Sequence, residues 1–263
     1  MSRPVIALIS DFGTVDHYVG SMKAVAMGIC PDATLVDITH HIEPHDIRTG
    51  ALELAASYKY FPSGTVFLVV VDPGVGSARR GIAAEVGDYR FVAPDNGVLT
   101  LVFEAMEPKR VVEITERRYG RPTVSRTFEG RDRFAPAAAW LAKGIQLNGL
   151  GRAVTNWTTI EIPRASVESD TIAGEILRID RFGNLVSNIE HRSFEHFSAA
   201  GPVRIRAGEH EIERLVATYA EVEPNDVCAL FGSTDHLEIS VNGASAAERL
   251  GLARGAPVVV TRV

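Results

Sequence analysis

Apolar and polar positions alternate along this chain on two scales, and the change-over divides it. In the first part, short apolar runs at residues 5–10, 34–39 and 66–71 read as strands. Helical spacings lie between them. Val19, Met22, Val25, Ala26 and Ile29 share one face before Pro31 stops the pattern, and residues 47–60 form a second helix. Residues 82–86 and 90–93 flank Gly87-Asp88 as a hairpin. Residues 98–104 then read as a short helix, 111–115 as a strand and 135–143 as a helix stopped by Gly144. This alternation predicts an α/β domain whose mostly parallel sheet carries helices on both faces.

From Thr171 the pattern changes to short β runs at 172–179, 185–189, 203–207, 211–216, 226–231 and 237–241. Turns containing Gly, Asn and Pro separate them, as in a small barrel or sandwich. One short helix at 243–250 and a closing strand at 258–263 complete it. The expected organisation is an α/β domain over 1–156, a polar linker over 157–169 and a small β domain over 170–263.

Composition narrows the class of partner. The chain has 263 residues, 46% of them hydrophobic, enough to bury a sizeable core. A net charge of −6 lacks the basic excess of a nucleic-acid or anionic-membrane binder. Cys30 and Cys228 fit no zinc or redox spacing and read as buried small hydrophobes. The run after Met1-Ser2-Arg3-Pro4 is too brief for a signal-peptide core or a membrane span, so a cytoplasmic protein is expected.

Polar clusters sit where strands end. Val71-Asp72-Pro73-Gly74-Val75-Gly76-Ser77-Ala78-Arg79-Arg80 leaves an apolar run on an acid, turns through Pro and two Gly, and presents two arginines. In an open α/β sheet, ligands bind beyond the carboxyl ends of strands; a surface turn with Asp at its first position is the plainer alternative. Asp11, in Ser10-Asp11-Phe12-Gly13, is placed to accept hydrogen bonds from a vicinal diol, and Asp16 either does the same or caps the following helix. His40, His41 and His45 are close enough in sequence to be metal ligands but match no standard ligand spacing. Phe128 reads as buried, Glu129 is followed by a permissive Gly, and Arg131 with Asp132 reads as a surface pair of little worth. In Asp180-Arg181-Phe182-Gly183-Asn184, a β-turn competes with a site in which Asp180 holds an ammonium, Phe182 stacks on a base and Asn184 reads its edge. Segments around Tyr219, Ser233 and Asn242 read, singly, as ordinary turn and core.

Together and in order, SDFGTVDHYVGSMK, VDITHHIEPHDI, VVDPGVGSARR, APDNGVLT, FEGRDRFAPAAAWLA, IDRFGNLVSNI and VNGASAAERLGL span nearly the whole chain. The chain resembles the S-adenosylmethionine (SAM) hydroxide adenosyltransferases, relatives of the bacterial fluorinase and chlorinase. The resemblance implies an N-terminal α/β domain, a C-terminal β-barrel, and a homotrimer with sites between neighbouring subunits. It implies hydrolysis of SAM to adenosine and methionine with no metal and no cofactor. By position, Asp11 matches the acid gripping the ribose diol, Asp16 a contact to the methionine end, and Asp180 the acid on the methionine ammonium. Phe182 and Tyr219 match the adenine-stacking aromatics and Asn184 an adenine-reading amide. Ser233 matches a contact to the methionine carboxylate, and Asn242 a backbone contact to adenine. Asp72 and Arg79 match two of three polar residues of the hydroxide branch. The third is a histidine in the family's F-H-G-R-D, and here it is Glu129.

The mechanism expected from these residues has water attack C5′ opposite sulfur, with Asp72 as base, Arg79 holding it ionised, and Glu129 as a second acceptor for the water. Two other classes stay open on the residues alone. One is a non-catalytic SAM or adenosine sensor, because Glu129 replaces the histidine. The other is a metal-dependent hydrolase built on Asp11, His40, His41 and His45.

Overall fold

The computed structural model describes residues 3–263 and divides into two compact units, Met1–Glu161 and Ile162–Val263. The first unit is built on β1 (Val5–Ser10), α1 (Tyr18–Ile29), β2 (Thr34–Thr39), α2 (Ile47–Ser57), β3 (Val66–Val70), β4 (Gly81–Val86), β5 (Tyr89–Pro94), α3 (Thr100–Ala105), β6 (Arg110–Ile114), α4 (Ala135–Ala142) and β7 (Gly151–Ala153). Its sheet runs in the order β2-β1-β3-β5-β4-β6-β7. The β2–β1, β1–β3 and β3–β5 pairings are parallel, whereas β5–β4, β4–β6 and β6–β7 are antiparallel. The sheet is therefore mixed, not mostly parallel as the alternation suggests. The cause lies in the Gly87-Asp88 turn, where Gly87 sits at φ +56°. A turn that tight lays β5 antiparallel beside β4, so β4 occupies the place that a crossover strand would otherwise take.

Successive side chains on a strand point to opposite faces, and here each face has its own core. Ile6, Leu8, Val66, Leu68 and Val70 pack with Met22 and Ala26 of α1 and with the alanines and Leu141 of α4. Ala7, Ile9, Phe67 and Val69 pack with Leu54 of α2 and Val102 of α3. With both faces covered, polar groups are placed at the strand ends. Ser10 pairs with Val70 in the β1–β3 register, so Asp11 and Asp72 follow closely from neighbouring strands at the same sheet edge.

The second unit comprises β8 (Ser166–Val167), β9 (Thr171–Ile179), β10 (Leu185–Glu190), α5 (His191–Ser198), β11 (Val203–Ala207), β12 (His210–Ile212), β13 (Val227–Phe231), β14 (His236–Val241), α6 (Ala246–Leu250) and β15 (Pro257–Arg262). The antiparallel path is β12-β11-β15-β9-β10-β14-β13, with β8 beside β9. Beyond β12 the chain turns onto β13: Ala229 donates to Arg214 O at 2.8 Å and Val216 donates to Ala229 O at 3.0 Å. These bonds bring the two ends of the path together as a nearly closed barrel around Ile172, Ile176, Leu185, Phe197, Ile239 and Val258. The strand expected over 211–216 is real only to Ile212, and its remainder is this closing bridge.

Candidate active site

The loop after β3 is folded to return its arginine to its aspartate. Val75 donates to Asp72 O at 3.2 Å, Ser77 to Gly74 O at 3.1 Å, and the Ser77 hydroxyl caps the same carbonyl at 2.6 Å. Between these turns Gly76 holds φ +75°, and a Cβ there would run into the carbonyl oxygen of Arg126. Arg79 Nε then donates to Asp72 Oδ1 at 2.9 Å and Oδ2 at 3.0 Å, while Nη2 closes on Oδ2. The same Nη2 reaches Glu129 Oε2 at 2.6 Å. The guanidinium stands over the Phe134 ring, 5.2 Å from its centroid.

Glu129 is set by a π-turn, Gly130–Phe134, that leads into α4 through a bond from the Ala135 N–H to Gly130 O. Arg133, four residues on, donates from Nη1 to Glu129 Oε2 at 3.2 Å and from Nη2 to Ile114 O at 2.8 Å. Asp72, Arg79 and Glu129 are all nearly out of solvent. Burial alone would lower the Arg79 pKa; the hydrogen bonds and charges of Asp72 and Glu129 outweigh it and raise the value, so the guanidinium stays charged. Two carboxylates and two guanidiniums make this a charge-balanced cluster.

Asp11 is oriented by the β2–α2 loop: its Oδ2 accepts from the His45 N–H at 2.9 Å, with His45 at φ +72°. That loop hangs on a relay in which the buried Ser10 hydroxyl meets the buried His40 at Nδ1, 2.7 Å away, and His40 Nε2 meets the exposed Asp37 at 3.0 Å. Both His40 nitrogens are thereby used, and no cluster of three His, Cys, Asp or Glu suited to a metal occurs among the described residues. Asp16 is exposed. Asp132 is not the surface residue its pairing with Arg131 suggested. It is fully buried and accepts from Arg131 at 2.7 and 2.8 Å, from the Ser125 N–H at 2.8 Å and from Arg121 at 3.1 Å. Burial pushes its pKa up, but those donors outweigh burial and hold it below the usual carboxylate value.

In the second unit the Asp180 carboxylate organises its own turn. Oδ1 accepts from the Phe182 and Asn184 N–H groups, both at 2.9 Å, and Oδ2 accepts from Asn184 Nδ2 at 2.9 Å. Gly183, at φ +86°, closes the turn against Ser245. Phe182 is 78% exposed. Tyr219 donates its hydroxyl to the buried Glu238 carboxylate at 2.7 Å, and Ser240 donates to the same oxygen at 2.9 Å. Burial, then this bond, raises the Tyr219 pKa, so it remains a neutral donor. Ser233 is exposed, and Asn242 Nδ2 donates to Val222 O at 2.8 Å.

Residues 6–151 match the N-terminal domain, and residues 174–259 the C-terminal domain, of the SAM hydroxide adenosyltransferases. The chain belongs to the SAM hydroxide adenosyltransferase family. It is 40% identical to the (R)-S-adenosyl-L-methionine hydrolase of Thermus thermophilus, over 97% of this chain and 98% of the relative. It is 29% identical to a fluorinase of an Actinoplanes species, over 99% and 98%. The crystal structure of an uncharacterized conserved protein from Thermotoga maritima superposes with a TM-score of 0.91 at 36% identity, covering 98% of this chain and all of that one.

Of the residues singled out in the sequence, Arg79 touches both Asp72 and Glu129, and Asp180 touches Asn184. The Asn184 amide nitrogen is committed to Asp180, and its carbonyl oxygen accepts no hydrogen bond from any described residue. Two partners escaped the reading of the sequence. Arg133 was signalled by its i+4 spacing from Glu129, and Glu238 by its alternation with Ser240 on an inward strand face.

Proposed function

We propose that this chain hydrolyses SAM to adenosine and methionine by metal-independent attack of water at C5′, needing no cofactor. The observation that carries the reading is the buried pair of carboxylates bridged by Arg79 at the end of β3, in a member of this family. The leaving sulfur departs as a neutral thioether, so no general acid is required. The demands on the protein are to align water opposite sulfur and to accept its proton. A carboxylate of the Arg79-bridged pair meets the second demand. Asp11 takes the ribose diol, Asp16 the methionine end, Asp180 the ammonium and Ser233 the carboxylate. Phe182 and Tyr219 stack on adenine, which Asn184 and the backbone at Asn242 read. The working form is a cytoplasmic homotrimer with sites between neighbouring chains. A halide nucleophile is disfavoured, because the carboxylate of Asp72 repels it.

The test is to incubate the purified protein with SAM in heavy-oxygen water, with and without EDTA, and to follow products by mass spectrometry. Equal amounts of adenosine and methionine, with the label at the adenosine 5′-hydroxyl and no effect of EDTA, are expected. Retention of adenosine without turnover would replace this reading with a sensor, and loss of activity in EDTA would replace it with metal-assisted hydrolysis.

A further inference from the structure

The four oxygens of the Asp72 and Glu129 carboxylates are differently employed. Both Asp72 oxygens face Arg79: Nε donates to each, and Nη2 adds a second bond to Oδ2. On Glu129 the two arginines converge on Oε2, from Arg79 at 2.6 Å and from Arg133 at 3.2 Å. Glu129 Oε1 accepts no hydrogen bond from any described residue. We infer that Glu129, through Oε1, is the base that takes the proton of the attacking water, and that Asp72 is a positioning residue acting through Arg79. This assignment rests on SAM hydrolysis at this site and names the residue that performs its proton transfer.

A base needs a lone pair aimed at the water, and an oxygen already engaged by a guanidinium, as both Asp72 oxygens are, is a weaker base than one that accepts no hydrogen bond. Pinning Oε2 from two sides fixes the plane of the carboxylate and leaves Oε1 to the substrate water. Arg133 brings a positive charge that balances Glu129, and its bond to Ile114 O at 2.8 Å holds it there. Glu129 and Arg133 also line a cleft of about 700 Å³ formed with residues 114–118, 120–122 and 124, which Asp72 does not reach. A proton taken up by Glu129 has that cleft as its exit to solvent. The charged groups facing Glu129 are Asp72 and Arg79 from the β3–β4 loop and Arg133 from its own turn. From the cleft wall come Glu116, Arg117, Arg118 and Arg121.

In the step itself, the water oxygen bonds to C5′ as the C5′–S bond breaks, and that electron pair stays on sulfur as methionine. One water proton passes to Glu129 Oε1 and then to solvent, leaving adenosine with the new hydroxyl. The cationic substrate and water thus become two products and one proton.

The experiment measures SAM hydrolysis from pH 4 to 9 for the wild type, Glu129→Gln, Glu129→His and Asp72→Asn, with adenosine affinity by calorimetry as the check on folding. Glu129→Gln is expected to lower kcat at least about 100-fold while KM and adenosine affinity change less than about threefold. Glu129→His restores a base, and because imidazole ordinarily titrates about two pH units above a glutamate carboxyl, the acid limb of the profile moves up by about that much. Asp72→Asn lowers kcat but keeps an acid limb, because the base itself is still present. The assignment is overturned if Glu129→Gln keeps a tenth or more of the wild-type kcat, or if the acid limb of Glu129→His coincides with that of the wild type. A wild type that releases no adenosine and methionine from SAM ends the hydrolysis reading and the assignment with it. That outcome is distinct from an active wild type with indifferent Glu129 variants.

Discussion

At Asp132 the side chain is wholly out of solvent, yet three separate parts of the chain donate to it: Ser125, Arg121 and Arg131. Those donors outweigh the cost of burying the carboxylate, and the net shift of its pKa is downward. The sign of the linkage follows. A carboxyl whose native pKa lies below its unfolded value of about 3.9 adds stability that is fully present above that value. The contribution is lost as pH falls through the lowered native pKa. Asp132→Asn keeps the shape but replaces an acceptor oxygen by a donor facing guanidiniums, and is expected to cost about 2 kcal/mol at pH 7. The stability difference between Asp132→Asn and wild type, from urea midpoints, should shrink as the pH is taken below 3.9. A constant difference down to pH 2 would mean that the charge of Asp132 contributes nothing. The pairing of Arg131 with Asp132 was legible in the sequence, but the burial that gives it weight was not. Burial here depends on residues 120–125 folding back over the π-turn, and no periodic pattern marks that path.

At the scale of elements, what was legible followed from periodicity. β1 and β2 lie where their apolar runs put them, and the helix read over 47–60 resolves into α2 and one short 3-10 turn. Elements without such a pattern were missed. α5 carries only Phe194 and Phe197 as buried positions, too few to form a stripe. β7 and β8 are edge pieces of three and two residues, too short to alternate. The π-turn at Gly130–Phe134 reads as ordinary helix entry, because Asp132 and Pro136 are normal residues there. Yet that turn brings Phe134 beneath Arg79 and presses it against β4: a Cβ on Gly81 would lie 2.5 Å from Phe134 Cε1. Gly81→Ala must therefore displace the ring, at a cost of about 1–3 kcal/mol in a packed core. Because the ring supports the guanidinium, SAM hydrolysis should fall by more than the thermal midpoint implies, with kcat reduced about tenfold or more. Wild-type kcat in a destabilised Gly81→Ala protein would show that Phe134 is only filler.

At the scale of the whole molecule, the change from strand–helix alternation to short β runs near residue 170 was legible because the two periodicities differ. Along the chain the division between the two compact units falls between Glu161 and Ile162. Oligomeric state is of another kind, since a surface that meets a second chain need not look different in sequence from one that meets water. The proposed homotrimer makes a demand that can be tested without a structure. Light scattering should give three times the 28.5 kDa chain mass. The sharper test uses two inactive proteins. Glu129→Gln disables the cluster of the first unit, and Asp180→Ala removes the acid assigned to the ammonium in the second. If every site is completed between neighbouring chains, equal co-expression of the two variants places both intact parts together in about one site in four. Activity should return to roughly a quarter of the wild-type value. If each site is built within one chain, every site in the mixture carries one lesion, and the co-expressed protein stays as inactive as its parents.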